Sequence, residues 1–507
     1  MIANKTVLAL LVAGLAGCAV GPDFQRPAAP ATTRYTAEPL AAHTVATPVA
    51  GGVAQRFIQG QDLPEQWWTL FGSDALNQLV SAALQTNPDL QAAEAALRAA
   101  RENVAAARGA YWPSIDARFT PTRQRNAEPL ASPAASGENL YSLHTAQVNV
   151  AYTPDVFGGT HRQVEAATAQ TEVAQFQRRA AWLTLTSNVV AAAIQEASLR
   201  AQLQATREQI AAAARLLDIV KQQQRAGQFG AADVAAQETA LAQMEAALPP
   251  LEKQLAQQRN LLAVLAGRLP SEAIAQQFDF DSLKLPEDLP LSLPARLAEQ
   301  RPDIRAAEAQ LHAASAQIGI TRAARLPNVA LTASLGSAAL DTATLFKSGT
   351  GFWSIGADLV QPIFHGGSLM HQERAAEAAY DQAAAQYRST VLTAFQNVAD
   401  TLHAIDADAR LLRAATAAER AANHSLEIAR RQRELGVIGI PAVLQAEQAQ
   451  QQAVIALVQA RAARYADTVA LLQALGGGWW STENVPDSID RQKSEALQAR
   501  EQRTLRK

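Results

Sequence analysis

Cys18 is the one cysteine of the chain, and it ends the tetrapeptide Leu-Ala-Gly-Cys. Lys5 precedes the apolar run 7–12, and small residues stand directly before the cysteine, which is the pattern of a signal peptide with a lipobox. No second cysteine competes for the thiol in an intrachain disulfide. The expected chemistry is acylation: cleavage would leave Cys18 as the N-terminus, carrying diacylglycerol and an N-acyl chain. Each buried methylene would add about 0.8 kcal/mol of membrane attachment.

The other reactive side chains form no catalytic or metal-binding pattern. The eight histidines are scattered, and the sequence contains no HExxH, glycine-rich phosphate loop or GxSxG motif. His365 and His371 are six residues apart, which is not the spacing of a metal-binding pair on a helix. We therefore predict that the chain is not an enzyme and holds no metal or cofactor besides the covalent lipid.

Charge and composition exclude further classes of protein. Lys and Arg total 44 against 47 Asp and Glu, so the net charge of −3 provides no basic field for nucleic acid. Much of the 48% hydrophobic content is alanine, which suits closely spaced helices. Beyond the N-terminus there is no run of about 20 apolar residues, so we expect no transmembrane helix in the mature chain.

The sequence contains two copies of one structural unit. NPDLQAAEAALRAA from Asn87 is echoed by RPDIRAAEAQLHAA from Arg301, and three further pairs follow in the same order. Each copy is expected to contain a helix, two strands, a very long helix, a tight turn and a final helix. The predicted segments are a signal peptide 1–17, a lipidated extended segment 18–73, a first repeat 74–267, a linker 268–294, a second repeat 295–480 and a polar, disordered tail 481–507.

Period-two alternation predicts two strands in each repeat, and proline-free heptad patterns predict the long helices. The strands are expected at about 114–123, 141–153, 328–338 and 352–361. The long helices are expected at about 160–226 and 367–435, each roughly 100 Å long at 1.5 Å per residue. The helices after the turns are expected at about 229–267 and 440–475. The combined length of the two shorter helices of a repeat is close to the length of the long helix, so the two can stack end to end beside it.

Four strands with alternating polarity do not close a barrel. Backbone groups in a bilayer must be paired, so the edges must meet other chains. Eight strands give a filled interior, whereas twelve leave a passage. We therefore predict a homotrimer with a 12-stranded outer-membrane β-barrel continuing into an α-helical coiled-coil barrel, a mainly α fold with a small β part.

Aromatic residues flank the predicted strands as an interfacial girdle would. The expected girdle residues are Tyr111, Trp112, Tyr152, Phe157 and Phe364 at the helix ends of the strands, and Tyr141, Phe352 and Trp353 at the loop ends.

From Cys18 to Trp480 the chain resembles the TolC-like outer membrane factors, specifically the lipidated NodT and OprM branch. The resemblance lies in CAVGPDFQRP from Cys18, WWTLFGSDALNQLV from Trp67, the NPDL tetrapeptide from Asn87, the paired glycines and the glycine-containing turns. It implies a trimer in the outer membrane with its helical part in the periplasm. It also implies two partners: a periplasmic adaptor (membrane fusion protein) and an inner-membrane pump, often of the resistance-nodulation-division type.

The same resemblance assigns the turns to the periplasmic tip, where an adaptor docks and the duct closes. The matching docking residues are Gly227, Gln228, Phe229, Gly436, Val437 and Ile438. Family members can close the tip with acidic residues after the turn, and a ring of like charges would bind cations. Asp233 matches such a position, with Arg225 and Arg433 as further gate candidates. In the second tip, Ala442 and Gln445 stand where acids are expected, so this tip departs from the acidic pattern.

Three functions remain open on these residues. The first is a passive exit duct for small molecules such as drugs or solvents, fed by the pump through the adaptor. The second is the outer-membrane component of type I protein secretion. The third, of another class, is a lipid-anchored coiled-coil scaffold without a pore, which differs in that its strands do not enter a membrane.

Overall fold

The computed structural model describes residues 19–39, 41–125, 127, 139–228 and 230–482, with side chains described to residue 480. The expected anchor Cys18, the tip residue Phe229 and the tail from residue 483 lie outside this range. Helices dominate the described part. They are α1 Asp74–Thr86, α2 Pro88–Gly109, α3 Gly159–Arg225, α4 Ala231–Ala246, α5 Leu248–Leu265, α6 Pro294–Gln300, α7 Pro302–Ala323, α8 Ser368–Glu434 and α9 Ile440–Ala474.

Two sheets accompany the helices. Their strands are β1 Arg56–Gln59, β2 Ser114–Arg125, β3 Leu140–Tyr152, β4 Asp288–Leu291, β5 Asn328–Ala339 and β6 Gly351–Val360. The larger sheet has the order β2-β3-β5-β6 with antiparallel neighbours throughout. Its four strands and the two 67-residue helices α3 and α8 begin and end within two residues of the limits expected from the sequence.

The helix expected over 229–267 is two helices instead of one. α4 ends at Ala246, and α5 begins at Leu248 with Pro249 and Pro250 in its first turn. Proline lacks an amide hydrogen and disturbs the preceding turn, so a helix readily restarts with proline in its first turn but not in its interior. The equivalent helix α9 has its one proline, Pro441, at its own start and is continuous over 35 residues.

The segment expected as a linker contributes a strand that the sequence did not reveal. β4 pairs in parallel with β1 of the N-terminal segment, with Phe57 opposite Leu289. Arg56 forms an ion pair with Asp288 at 2.7 Å across the same two strands. Leu289 and Leu291 are buried, so the linker forms part of a core.

The described chain forms two compact units, and each combines segments from both repeats. The sheet unit comprises the described residues within Met1–Pro27, Ala96–Gln175 and Ala306–Arg388 and holds the four-stranded sheet. The second unit, here called the helical unit, comprises the described residues within Ala28–Ala95, Phe176–Arg305 and Ser389–Lys507. No helix in the described ranges combines the length and hydrophobicity needed to cross a bilayer.

Within the helical unit, the residue before α2 contacts the end of α5 in the first repeat, and the residue before α7 contacts the end of α9 in the second. The side-chain nitrogen of Asn87 (Nδ2) donates to the Leu265 carbonyl at 3.1 Å. The side-chain oxygen of Asn87 (Oδ1) accepts from the backbone amides of Asp89 and Leu90 and so caps α2. In the second repeat, the Arg301 guanidinium donates to the Ala474 carbonyl at 2.9 Å. The same junction therefore occurs twice with different side chains.

Candidate functional site

The four-stranded sheet has two chemically distinct faces, which its register defines. Residues directly opposite each other on neighbouring strands lie on the same face, and successive residues alternate between faces. One face, the apolar face, carries Ile115, Ala117, Phe119 and Pro121 on β2, His144, Ala146, Val148, Val150 and Tyr152 on β3, Leu331, Ala333 and Leu335 on β5, and Trp353, Ile355, Ala357 and Leu359 on β6. The row on β2 ends in Arg123 and Arg125 at the loop end.

The opposite face, the polar face, carries mostly polar side chains along the same strands. It carries Asp116, Arg118, Thr120 and Thr122 on β2, Thr145, Gln147 and Asn149 on β3, Thr332 and Ser334 on β5, and Ser354 and Asp358 on β6. Ser334 and Ser354 share a hydrogen bond at 2.7 Å, and Gln147 donates to Asn149 at 2.9 Å. Such a sheet separates an apolar environment from an aqueous one.

Large side chains of the apolar face are exposed in the single chain. Trp353 is 73% exposed, Ile355 78% and Leu359 71%. Exposed apolar surface on this scale marks an interaction with lipid or another protein rather than a water-facing surface. The alternation with a polar face matches a strand that has lipid on one side and a water-filled lumen on the other.

Both outer strands of this sheet have a free edge. β2 and β6 each have one neighbour among the described strands, and they are 12 and 10 residues long. Long edges of this kind pair with other strands, because their backbone amides and carbonyls are otherwise unpaired. The sheet is thus built to continue through contacts with other chains.

The expected girdle residues divide between the two faces. Tyr152 and Trp353 lie on the apolar face, while Trp112 and Phe364, 76% and 85% exposed, lie just outside strands β2 and β6. Tyr111 is 37% exposed, and Phe157 is half-buried near the end of the β3–α3 connection, just before α3.

Two of the expected girdle residues lie on the polar face instead. Tyr141 is opposite Gln124, whose amide bonds to the Tyr141 hydroxyl, and Phe352 is opposite Gly336. The pleat imposes this arrangement, because Phe352 and Trp353 are adjacent and must point to opposite sides. The loop end of the apolar face therefore keeps Trp353 but not Tyr141 or Phe352.

The two helix turns of the helical unit have the same backbone geometry. Gly227 and Gly436 have φ of +72° and +73°, in the left-handed region that glycine adopts without strain. The amides of Gly227 and Gln228 donate to the carbonyls of Gln224 and Gln223, both at 2.9 Å. Gly436 and Val437 repeat these bonds to Arg433 and Gln432 at the same distance, which gives a Schellman cap at each end.

The described tip residues differ in exposure. Gly227, Gln228 and Gly436 are exposed, and the side chain of Val437 is 67% exposed. Ile438 is half-buried and packs with Leu426 and Val443 between α8 and α9. Ile440 is buried against Leu217, Val220 and Val234, so the second tip packs on the first repeat.

The three gate candidates make different contacts. Asp233 caps its own helix, since its carboxylate accepts from the Gly230 amide at 3.1 Å. The Arg433 guanidinium donates to the Gln223 side chain at 3.2 Å and thus links the long helices of the two repeats. Arg225 is exposed.

An acidic residue at the second tip was missed from the sequence. Ala442 and Gln445 are exposed, but Glu447, two residues further on, is buried and accepts from Arg430 at 3.1 Å. Burial lowers the pKa of Arg433, while the carboxylates of Glu447 and Asp233 act in the opposite direction. Glu447 therefore supplies the acid of the second tip, at a position that only the helix packing reveals.

The sequence matches the family model described as "Outer membrane efflux protein" over residues 79–268 and 293–477. It is 32% identical to the pyoverdine export outer membrane protein OpmQ of Pseudomonas aeruginosa, over 82% of this chain and 88% of that protein. It is 30% identical to the toluene efflux pump outer membrane protein TtgC of Pseudomonas putida, over 94% and 96% of the two chains.

The structure is similar to that of the outer-membrane channel OprN, with a TM-score of 0.81 and 27% identity over 91% of this chain and 100% of that one. This likeness confirms the predicted fold class, that of the trimeric TolC-like channels. The family is one of transporters and of outer-membrane proteins. With the matched residues covering most of both repeats, the chain belongs to the outer membrane efflux protein family.

Proposed function

We propose that the chain is the outer-membrane exit duct of a tripartite efflux system and passively exports small molecules. The observation that carries this proposal is the four-stranded sheet with an exposed apolar face, a polar face and two free edges. A pore-less scaffold would not need such a sheet, because its strands would remain in water. Three copies pairing β2 with β6 would close twelve strands around an aqueous passage.

Lipid attachment at Cys18 is part of this proposal. The lipobox ending at Cys18 supports diacylglycerol and N-acyl attachment in the outer membrane, and the helical part would then extend into the periplasm. The anchor would supplement the apolar face rather than replace it.

For partners, we propose a periplasmic adaptor and an inner-membrane pump of the resistance-nodulation-division type. The exposed turn residues at Gly227, Gln228, Gly436 and Val437 support adaptor docking at the tips. The gate at these tips would combine Arg433 with Gln223 and Glu447 rather than a ring of acids.

For cargo, the names of two relatives refer to pyoverdine export and to toluene efflux. They support small compounds over a secreted polypeptide, since both names specify compounds rather than proteins.

Deletion and complementation test the proposal. The deletion strain should become sensitive to solvents or drugs from a panel that includes toluene, and the wild-type gene should restore resistance. A variant with Ile355 changed to Arg, which puts a charge on the apolar face, should not restore it. Unchanged sensitivity to every small compound, with loss of one secreted polypeptide, would favour type I protein secretion instead.

A further inference from the structure

The segment that follows Cys18 is held against the sheet unit by contacts that start two residues after the cysteine. The Val20 amide donates to the Phe157 carbonyl at 3.0 Å, where β3 leads into α3. Two glycines allow the chain to approach closely: a Cβ at Gly158 would lie 2.7 Å from the Cα of Ala19, and one at Gly21 would lie 2.5 Å from the Cα of Gly319. Side chains at either glycine would push the segment away.

Arg162 on α3 binds both the backbone and a side chain of this segment. Its side chain is only 3% exposed and donates to the Val20 carbonyl at 3.2 Å and to the Asp23 carboxylate at 2.7 Å. Its other terminal nitrogen pairs with Glu165 at 2.7 Å. A buried guanidinium needs its charge and its donors satisfied, and Asp23 is the partner that the N-terminal segment supplies.

Two further contacts continue the attachment along α7. The ring of Phe24 stacks on His312, with centroids 4.4 Å apart and planes 14° from parallel. His312 in turn contacts the Glu165 carboxylate at 2.9 Å, so the stack joins the Arg162 network. Arg26 pairs with Glu308 at 2.9 Å. The segment thus has polar and aromatic contacts on two helices.

We propose that residues 19–27 form an N-terminal clasp, which fixes the lipidated end of the chain beside the helix ends of the strands. Two residues of extended chain span at most about 7 Å, so Cys18 is held within that distance of the Val20–Phe157 bond, which lies in the connection between β3 and α3. Tyr152 is the last residue of β3 and begins this connection. The clasp therefore places the acyl chains beside the end of the apolar face. This inference rests on the proposed membrane insertion and lipid attachment.

A nitroxide label tests the clasp in the purified full-length protein. Gln25 is exposed within the segment, and the mature chain offers no free thiol once Cys18 is acylated. With Gln25→Cys labelled, the spectrum should be that of an immobilised nitroxide. Adding Asp23→Asn and Phe24→Ala should make the mobile component the larger one. Asp23 is 93% exposed, so this variant leaves no buried cavity at its position.

A matched control separates the clasp from general loosening of α3. Arg207 lies on the same helix and pairs with Glu252 at 2.9 Å on the surface, so Arg207→Gln should leave the spectrum unchanged. The mass of the N-terminal peptide reports acylation independently. An acylated protein whose label is mobile without the Asp23 and Phe24 changes, or equally immobile with them, would overturn the clasp. An unacylated protein with an immobilised label would contradict the anchor and leave the clasp standing.

Discussion

Leu335 and Trp353 lie directly opposite each other on β5 and β6, and their side chains are 66% and 73% exposed in the single chain. Burying apolar surface contributes roughly 25 cal/mol per square ångström, so an apolar environment that covers this pair stabilises the structure. In the proposed duct, membrane lipid covers Leu335 and Trp353.

Arginine on the apolar face should prevent insertion, whereas arginine on the polar face should not. Ile355→Arg places a charge among side chains that face lipid and should cost roughly 2 to 4 kcal/mol near the bilayer midplane. Ser354→Arg is the matched control, because Ser354 is adjacent in sequence and lies on the polar face. The fraction of heat-modifiable trimer recovered from membranes measures the difference. Equal loss in both variants would show that the apolar face does not contact lipid.

Alanine at a tip glycine should loosen the turn locally. Gly227 has φ +72°, and among the described residues beyond its chain neighbours no atom lies within 4 Å of the position that a Cβ would occupy, so backbone conformation is what opposes Gly227→Ala. The cost should be about 1 to 2 kcal/mol, and exchange of the Gln228 amide should accelerate about tenfold. Gly109→Ala, at an open helical position without positive φ, should leave that amide unaffected. Unchanged exchange in Gly227→Ala would show that the Schellman cap does not limit opening of the tip.

Removing Arg301 should destabilise the junction of the second repeat. Its guanidinium donates to the Ala474 carbonyl and pairs with Asp303 at 2.7 Å, and the residue is 8% exposed. Arg301→Gln should cost about 1 to 3 kcal/mol, because the carbonyl of the buried residue Ala474 loses its donor and the Asp303 carboxylate loses its ion partner. Arg296→Gln, which breaks an exposed pair with Asp62, should cost about 1 kcal/mol or less. Thermal unfolding followed by circular dichroism compares them, and similar melting temperatures would contradict a structural role for the junction.

Stability should depend on pH through Asp408 on α8. Burial, and then a hydrogen bond with Asp467 on α9, raises the pKa of Asp408 to about 7. A carboxyl whose pKa is raised on folding favours the folded state while protonated, so its contribution is lost as pH rises from the unfolded value through about 7. Asp408→Asn should therefore exceed the wild type in stability by more at pH 8 than at pH 5. The gain should be on the order of 1 kcal/mol, since solvent screens this half-exposed group.

The control for this prediction is Asp406→Asn, on the same helix at a surface pair with Arg410. It should show no such gain between pH 5 and pH 8. Melting temperatures of the three proteins at the two pH values decide the matter. A wild type that stays as stable as Asp408→Asn at pH 8 would mean that Asp408 ionises without penalty in the folded protein.

Local patterns in the sequence predicted the long helices and the strands, because heptads and period-two alternation are properties of contiguous residues. The same patterns failed where a local interruption was overlooked, as at Pro249 and Pro250 between α4 and α5. The faces of Phe352 and Trp353 could also have been assigned from their adjacency alone.

Other features depend on contacts between residues far apart in the chain. The parallel pairing of Phe57 with Leu289 has no signature in either short segment. Glu447 was missed because its role depends on packing against Arg430 of another helix. Arg162 carries the N-terminal clasp, yet nothing near it in sequence distinguishes it from other helical arginines. Such sites follow from tertiary packing, which overrides local preference.

Conductance of the purified protein in planar bilayers tests the central claim most directly. If three chains close their sheets around an aqueous passage, a detergent-stable trimer should insert and produce discrete ion-conducting steps. The Ile355→Arg protein, added at the same concentration, should produce few or none. A wild-type protein that remains monomeric, or that binds bilayers through its lipid without conducting, would contradict the duct and favour a scaffold.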